Sequence, residues 1–432
     1  MLAPAFDVFC EFLYAICDLL LALPRHAFAL SQRKKLLADF EELKQAELEA
    51  LPPQLPPADV SLKRMILSCG DASGETHAVR LLEVLQQRHP DLEVSGFGGA
   101  RLKAMQMDVW KPLADLNVMG FKDVAAQLPM FFASVYRFAK EIRTHPPDVV
   151  VLVDYPGLNR HLLRIAKRRG VPVVDYIAPQ LWAWAPWRVR DFRRADTLLT
   201  ILPFEQDWYA KQGAVAKFVG HPLADSLAAD TDTWQPPEEA EWIAILPGSR
   251  RREIRENLSL MLAAAKQLQE KRPAVRFVLP HLRAKVWPLL HELLQAADIH
   301  VTPAPDHFHA VLRLCSGAWV VSGTASLEVA ALQIPSVVVF HMPSRLGSWL
   351  ASHALTVPFV GAANLIARRC IAPEQIGHHL DPGALCANLL QQLEEPGRSQ
   401  SLNNLSELQS TALAPGTAQR AALAVENTLP RT

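Results

Sequence analysis

Apolar residues along this chain recur in two ways, and the alternation between them is the main structural signal. Short unbroken apolar runs read as buried parallel strands. They fall at Met65–Gly70, Leu92–Gly98, Asp148–Asp154, Val171–Ile177 and Thr197–Leu202. Between them Glu75–Gln87, Leu128–Ile142 and Asn159–Arg169 carry apolar residues at helical spacing. The alternation restarts after Asp225. Strands are predicted at Ile243–Leu246, Val275–Pro280, His300–Thr302, Ala318–Ser322 and Ser336–His341. Helices are predicted at Arg255–Glu270, Val286–Ala296, His307–Leu314 and Ser326–Leu332, and the chain from Pro373 onward reads as mostly helical. Such β-α-β order predicts an α/β fold with two doubly wound parallel domains facing a cleft. The polar stretch Asp230–Glu239, with Pro236-Pro237, suits the connection, so the domains are expected at 61–228 and 229–432. Leu51–Val60 holds four prolines and reads as a linker that sets residues 1–60 apart as a helical extension.

Within that extension Phe6–Leu23 is largely apolar but carries Asp7, Glu11 and Asp18. Their spacing puts all three acids on one helical face, which makes a membrane-spanning helix costly. A secretory signal is also excluded, because no basic segment precedes the run. Two readings remain open: a helix lying in the plane of a membrane, or one packed on the body of the protein. Arg33-Lys34-Lys35 is placed to meet lipid head groups.

Composition narrows the class only slightly. At 432 residues, 50% hydrophobic and 20% charged, the chain suits a folded two-domain enzyme. Lys+Arg and Asp+Glu both number 44, and no nucleic-acid partner is expected. Arg160–Arg169 and Arg188–Arg194 are locally basic; they face phosphate groups or are solvated helix faces. The six cysteines are scattered in mostly apolar context, which favours buried thiols over disulfides, and no zinc-ligand spacing is present.

Two segments carry chemistry. Ile243–Arg250 reads I-A-I-L-P-G-S-R and Val320–Glu328 reads V-V-S-G-T-A-S-L-E. In each, a strand breaks into small residues and opens a helix, where free N–H groups meet an anion. Two such loops in one half-chain point to a diphosphate-bearing substrate, with a nucleotide-sugar the leading candidate.

The ordered motifs resemble those of the lipid A disaccharide synthases, inverting glycosyltransferases of the two-Rossmann (GT-B) class. The resemblance runs from about Arg64 to the C-terminus. It rests on G-D-A-S-G-E at Gly70–Glu75, L-N-V-M-G-F at Leu116–Phe121, V-D-Y-P-G-L-N at Val153–Asn159 and P-Q-L-W-A-W at Pro179–Trp184. P-F-E at Pro203–Glu205, F-V-G-H-P-L-A-D at Phe218–Asp225, L-P-G-S-R-R-R-E at Leu246–Glu253, S-G-T-A-S-L-E at Ser322–Glu328 and A-N-L-I-A at Ala363–Ala367 complete it. The chain departs from the family pattern at Asp71 and Glu75, whose acids are exchanged, at Gly157, at the G-A-A-N ending in Asn364, and at His341-Met342.

The resemblance implies transfer of 2,3-diacylglucosamine from its UDP donor to 2,3-diacylglucosamine 1-phosphate. The products are a β-1,6 disaccharide and UDP. No cofactor or metal is implied, the membrane association is peripheral at the inner face of the cytoplasmic membrane, and a homodimer is allowed. An inverting transfer needs a base for the attacking hydroxyl and cations or N–H groups for the departing diphosphate. Asp154, at a strand's carboxyl end, matches the family's catalytic aspartate; its alternative is to cap the following turn. Arg250 matches a required arginine, and a guanidinium there grips phosphate oxygens bidentately. Glu253 pairs with the neighbouring arginines along the helix. Gly248, Ser249, Gly323, Thr324, Ala325 and Ser326 are expected around the UDP-sugar. Glu328 either accepts from ribose hydroxyls or answers the helix dipole, and Asn364 is carried over as a donor-side contact. Gly70, Asp71, Ser73, Gly74 and Glu75 form the acceptor-side loop, with Ser73 alternatively an N-cap. His221 receives a hinge or cleft role only by resemblance. Trp182, Trp184 and Trp187 are expected in the core. Asp230-Thr231-Asp232 spells D-x-D but lies away from any strand end, so it reads as solvated linker. Two rivals stand beside this reading: a GT-B transferase for another lipid-linked amino sugar, and a catalytically silent UDP-sugar-binding scaffold.

Overall fold

A computed structural model describes residues 2–56, 59–116, 128–282, 284–342 and 357–430. The chain divides into two compact units, 1–222 with 415–432, and 223–414.

The first unit is built on a seven-stranded sheet in the order β3-β2-β1-β4-β5-β6-β7. The strands are β1 (Arg64–Ser68), β2 (Glu93–Phe97), β3 (Asp108–Lys111), β4 (Val149–Val153), β5 (Val173–Tyr176), β6 (Thr197–Thr200) and β7 (Ala216–Phe218). All pairings are parallel. Every residue of β4 is buried, as a strand covered by helices on both faces requires. Strand order reverses between β1 and β4, where Met65 pairs with Val149 and Ser68 with Leu152. The loops leaving the carboxyl ends of those two strands therefore open a crevice, the usual ligand position in such sheets.

The second unit repeats the plan with six parallel strands in the order β10-β9-β8-β11-β12-β13. They are β8 (Glu241–Leu246), β9 (Val275–His281), β10 (Val301–Pro305), β11 (Cys315–Val321), β12 (Ser336–His341) and β13 (Glu374–Gly377). Along β8, Ile243 and Ile245 enter a core with Leu258, Phe277 and Trp319, while Ala244 and Leu246 enter the opposite core with Val320 and Val338. The reversal here lies between β8 and β11, the strands that lead into the two small-residue loops.

Two expectations about organisation are corrected. The chain beyond Pro373 is mostly helical, as expected, with the short β13 added, but it does not all belong to the second domain: its last helix, Thr417–Glu426, returns to the first unit. There Glu426 pairs with Arg88 at 2.7 Å and His89 at 2.9 Å. Residues 1–60 are also not set apart by their prolines. Helices α1 (Leu2–Leu20), α2 (Ala22–Ser31) and α3 (Arg33–Glu41) belong to the first unit. Phe40 and Leu43 are buried, with Phe40 against Phe204 and Trp182.

The three acids of α1 settle which way it faces. Asp7, Glu11 and Asp18 are all buried. Asp7 meets Arg143 at 2.9 Å and Arg169 at 3.2 Å. Glu11 meets His161, Arg164 and Arg168 at 2.8, 3.1 and 2.7 Å. Asp18 meets Arg160 at 2.6 Å and Arg188 at 3.2 Å. Much of the two basic segments thus answers the acids of α1, which corrects the phosphate and solvent readings. The opposite face of α1 and α2 leaves Phe6, Phe9, Leu13, Leu20, Leu23 and Phe28 exposed. Among the described residues no helix is long and apolar enough to cross a membrane. Of the six free cysteines Cys69 and Cys386 are buried, while Cys17 and Cys370 are exposed.

Candidate active site

In the first unit the crevice is formed by the loops after β1 and β4. β4 ends at Val153, and Asp154 and Tyr155 follow with φ of 49° and 50°. Two consecutive left-handed residues, one of them aromatic, are strained and persist only when the surroundings hold them. The hold is visible. The Asp154 amide donates to the Tyr176 carbonyl at 2.9 Å. Buried Asn159 donates to the Asp154 carbonyl at 2.5 Å and accepts from the Ser68 hydroxyl at 2.8 Å. Gly70 lies flat against Tyr155, where a Cβ would fall 2.1 Å from the ring. Asp154 Oδ1 accepts from the Tyr155 amide at 2.8 Å, so the turn-capping alternative is real but uses only one oxygen. Burial, then the negative charge of Asp71, push the Asp154 carboxyl up to about 6. Asp175 on β5 is fully buried, and neither of its carboxyl oxygens has a partner among the described residues. Burial, then the nearby Asp154, raise it well above its ordinary value.

The acceptor-side loop divides by role. Asp71, not Ser73, caps helix Ala72–Arg88, accepting from the Gly74 amide at 2.7 Å; Ser73 is exposed. Glu75 is buried and accepts from the amides of Arg101 and Leu102 at 3.1 and 3.2 Å, which holds the start of helix Ala100–Ala104. Of the motif Leu116–Phe121, residues 117–121 lie outside the described residues. Trp182 is buried and donates to Glu205 at 2.9 Å, so the P-F-E glutamate is structural; burial lifts it to about 7. Trp187 is half-buried against His26, and the Trp184 side chain lies outside the described residues. His221 is pushed down to about 4 by burial and by His77, so it is neutral at physiological pH.

In the second unit a cavity of 340 Å³ occupies the switch between β8 and β11. Gly248, Ser249, Gly323, Thr324, Ala325 and Glu328 line it, as the small-residue loops predict, together with Glu253, His281 and Phe308. Gly248 has φ of 107° and Gly323 of 149°, values that L side chains rarely adopt. Gly323 precedes helix Thr324–Ala331 and Arg250 precedes helix Arg251–Lys271. Glu253 reaches back so that Oε2 accepts from the Ser249 and Arg250 amides, both at 3.3 Å. The Arg250 guanidinium donates to Glu253 Oε1 at 2.7 Å and is 75% exposed. It does not line the cavity.

Two other expected ligand contacts are turned inward. The Ser326 hydroxyl is buried and donates to the Gly323 carbonyl at 2.7 Å. The Asn364 amide donates to the Ala372 carbonyl and Glu374, and accepts from the amides of Ile371 and Ala372, at 2.6 to 2.9 Å. Its bonds tie helix Ala362–Ala367 to β13 and leave no group for a sugar. The D-x-D acids lie in the irregular connection, as expected, with Asp232 exposed and Asp230 partly buried. Asp230 is held by His309 at 2.7 Å and Asp232 by His307 at 3.1 Å. No cluster suited to a metal ion occurs among the described residues. A further cavity of 710 Å³ lies at the amino end of β1 and β2, away from both switch points.

Residues 65–427 match the family model described as Lipid-A-disaccharide synthetase. The chain belongs to the lipid-A-disaccharide synthase family. A lipid-A-disaccharide synthase of Syntrophus aciditrophicus is 34% identical over 371 residues, covering 84% of this chain and 96% of that protein. One from Myxococcus xanthus is 34% identical over 376 residues, covering 85% and 98%. The chain is thus a glycosyltransferase with the family's full catalytic body, and α1 to α3 precede the matched region. Among solved structures, a glycosyltransferase of kitacinnamycin superposes with a TM-score of 0.57 at 16% identity, covering 86% of this chain and 100% of that one. A UDP-N-acetylglucosamine 2-epimerase from Listeria monocytogenes gives 0.57 at 17% identity, covering 85% and 96%. At such identity the likeness concerns the fold alone.

Proposed function

We propose that the chain transfers 2,3-diacylglucosamine from UDP-2,3-diacylglucosamine to 2,3-diacylglucosamine 1-phosphate. Asp154 carries this reading: its backbone is held by Asn159 at the switch point, and its carboxyl, raised to about 6, is a base near its working pH. It takes the proton of the acceptor 6-hydroxyl as that oxygen attacks the donor's anomeric carbon. The bond to the UDP oxygen breaks, the anomeric centre inverts, and UDP leaves with the electron pair. Amides at the Gly248 and Gly323 turns, with Arg250 swung from Glu253, receive the diphosphate charge. The test incubates the purified protein with both acylated glucosamines and follows UDP and disaccharide together. UDP release that ignores the acceptor, or no release at all, removes the assignment.

The same reading places the protein peripherally at the inner face of the cytoplasmic membrane, through the outer face of α1 and α2. Large apolar side chains, Phe6, Phe9, Leu13, Leu20, Leu23 and Phe28 among them, are exposed there while the acids beneath are neutralised, so the helices offer lipid an uncharged face. Replacing Phe6, Phe9, Leu13 and Leu20 by Ser should reduce flotation with zwitterionic vesicles. Equal flotation assigns the contact elsewhere.

A further inference from the structure

His309 touches the nucleotide pocket only through other residues, yet it stands between two carboxylates. It lies in the short helix Phe308–Leu312, between β10 and β11. Its Nε2 is 3.2 Å from Glu328 Oε1, and its Nδ1 is 2.7 Å from Asp230 Oδ2. Asp230 is itself fixed: Oδ1 accepts from the Asp232 amide at 3.0 Å, and Oδ2 is 3.6 Å from the Arg313 guanidinium. Glu328 lines the cavity beside Phe308, Ser322 and Thr324. The second unit therefore contains a row Asp230–His309–Glu328 whose last member alone reaches the ligand space.

We propose that Asp230 and His309 orient Glu328 as an anionic acceptor for the ribose hydroxyls of a uridine nucleotide, so that His309 sets ribose selectivity without touching the ligand. This rests on the UDP-sugar reading. A glutamate side chain on a helix surface is free to rotate, and fixing it on ligand binding costs entropy. An imidazolium with both N–H groups donating to carboxylates removes that freedom beforehand. Glu328 Oε1 is engaged by His309, and Oε2 is the oxygen directed to a hydroxyl.

The protonation state follows from the neighbours. The hydrogen bond to Glu328 and the contact with Asp230 raise His309 above its ordinary value, against the opposing effect of burial. The groups facing the ring are Asp230, Glu328 and Phe308, with Arg313 behind Asp230. A raised folded value means that the row is intact below it. As pH rises through it the ring loses a proton, and one nitrogen then points a lone pair at a carboxylate. Preference for a ribose should weaken in the same direction.

The experiment measures binding of UDP and of 2′,3′-dideoxy-UDP to the full-length protein by calorimetry between pH 6 and 9. Wild type should prefer UDP, and the preference should shrink as pH rises. His309→Ala should weaken UDP by about tenfold, the scale of one charge-assisted hydrogen bond, and leave the dideoxy ligand unchanged at every pH. His309→Gln, which keeps one contact, should fall between, and Glu328→Gln combined with His309→Ala should add little to either alone. Equal weakening of both ligands by His309→Ala and His309→Gln, or a preference that survives them, overturns the relay. Wild type that binds neither ligand overturns the nucleotide reading beneath it as well.

Discussion

At the end of β4 the chain enters two left-handed residues and leaves a carboxyl half-buried beside other acids. At the end of β8 it passes through Gly248 and leaves a helix opening whose amides are covered by Glu253, itself bonded to Arg250. The topology is the same in both sheets: two strands at a reversal of order, with loops at their carboxyl ends. The electrostatics are opposite. In the first unit, burial and like charge raise a carboxyl until it can hold or release a proton near neutrality. In the second, carboxylates lie against N–H groups and cations, which is how an anion site looks before its anion arrives. On the proposed reading, one architecture supplies proton transfer in one copy and charge binding in the other, and the local turn decides which.

Substitutions should separate the two. Asp154→Asn should lower turnover by about 10²–10⁴-fold while UDP affinity stays at the wild-type level, because only the proton acceptor is lost. In wild type the ionised form is the active one, so kcat/KM should fall as pH drops through about 6. Retained turnover in the variant, or a flat profile across that range, would remove Asp154 from the proton transfer. Asn159→Ala should cost roughly ten- to a hundredfold in kcat, through misplacement of Asp154, again with unchanged UDP binding. A parallel loss of UDP affinity would show that the clamp serves the whole fold. Arg250→Ala should reduce both UDP affinity and rate, each by about tenfold, with Lys restoring only part, since an ammonium lacks the planar fork. If calorimetry and kinetics both leave this variant at wild type, Arg250 serves its helix cap alone. The smallest expected effect is that of EDTA, which should leave turnover unaltered; loss reversed by Mg²⁺ would bring a metal into the diphosphate site.

The central strands were readable because they are buried on both faces and therefore apolar without interruption, as in V-V-V-L-V of β4. The edge strands β3, β7 and β13 were not, since short edge segments such as E-Q-I-G carry no such run. Asp154 was legible as a carboxylate at a strand end, and the glycines as loop openers. The φ of Asp154 and the raised carboxyl of buried Asp175 were not, because both arise from the packing of strands far apart in sequence. Asn159 stood in a recognised motif, yet its role as clamp depends on Ser68, far off in sequence. His309 gave no local signal at all: its meaning comes from Asp230 and Glu328, brought to it from two other segments. In α1 the shared face of the three acids was plain, but its direction was set by arginines on helices Leu128–Thr144 and Pro156–Arg168.

That inward-facing charge makes the first sixty residues an internal counter-ion. They carry nine acids and five bases of a chain whose formal charge is zero. A protein shortened to residue 61 would be basic by four charges, with Arg143, Arg160, Arg164 and Arg168 newly uncovered on one side. Such a surface adheres to polyanions. The shortened protein should elute later from a cation exchanger and bind anionic vesicles more tightly than the complete chain, although it has lost its apolar face. Salt tells the two attachments apart: the uncovered arginines let go at high ionic strength, whereas contact through Phe6, Phe9 and Leu13 does not.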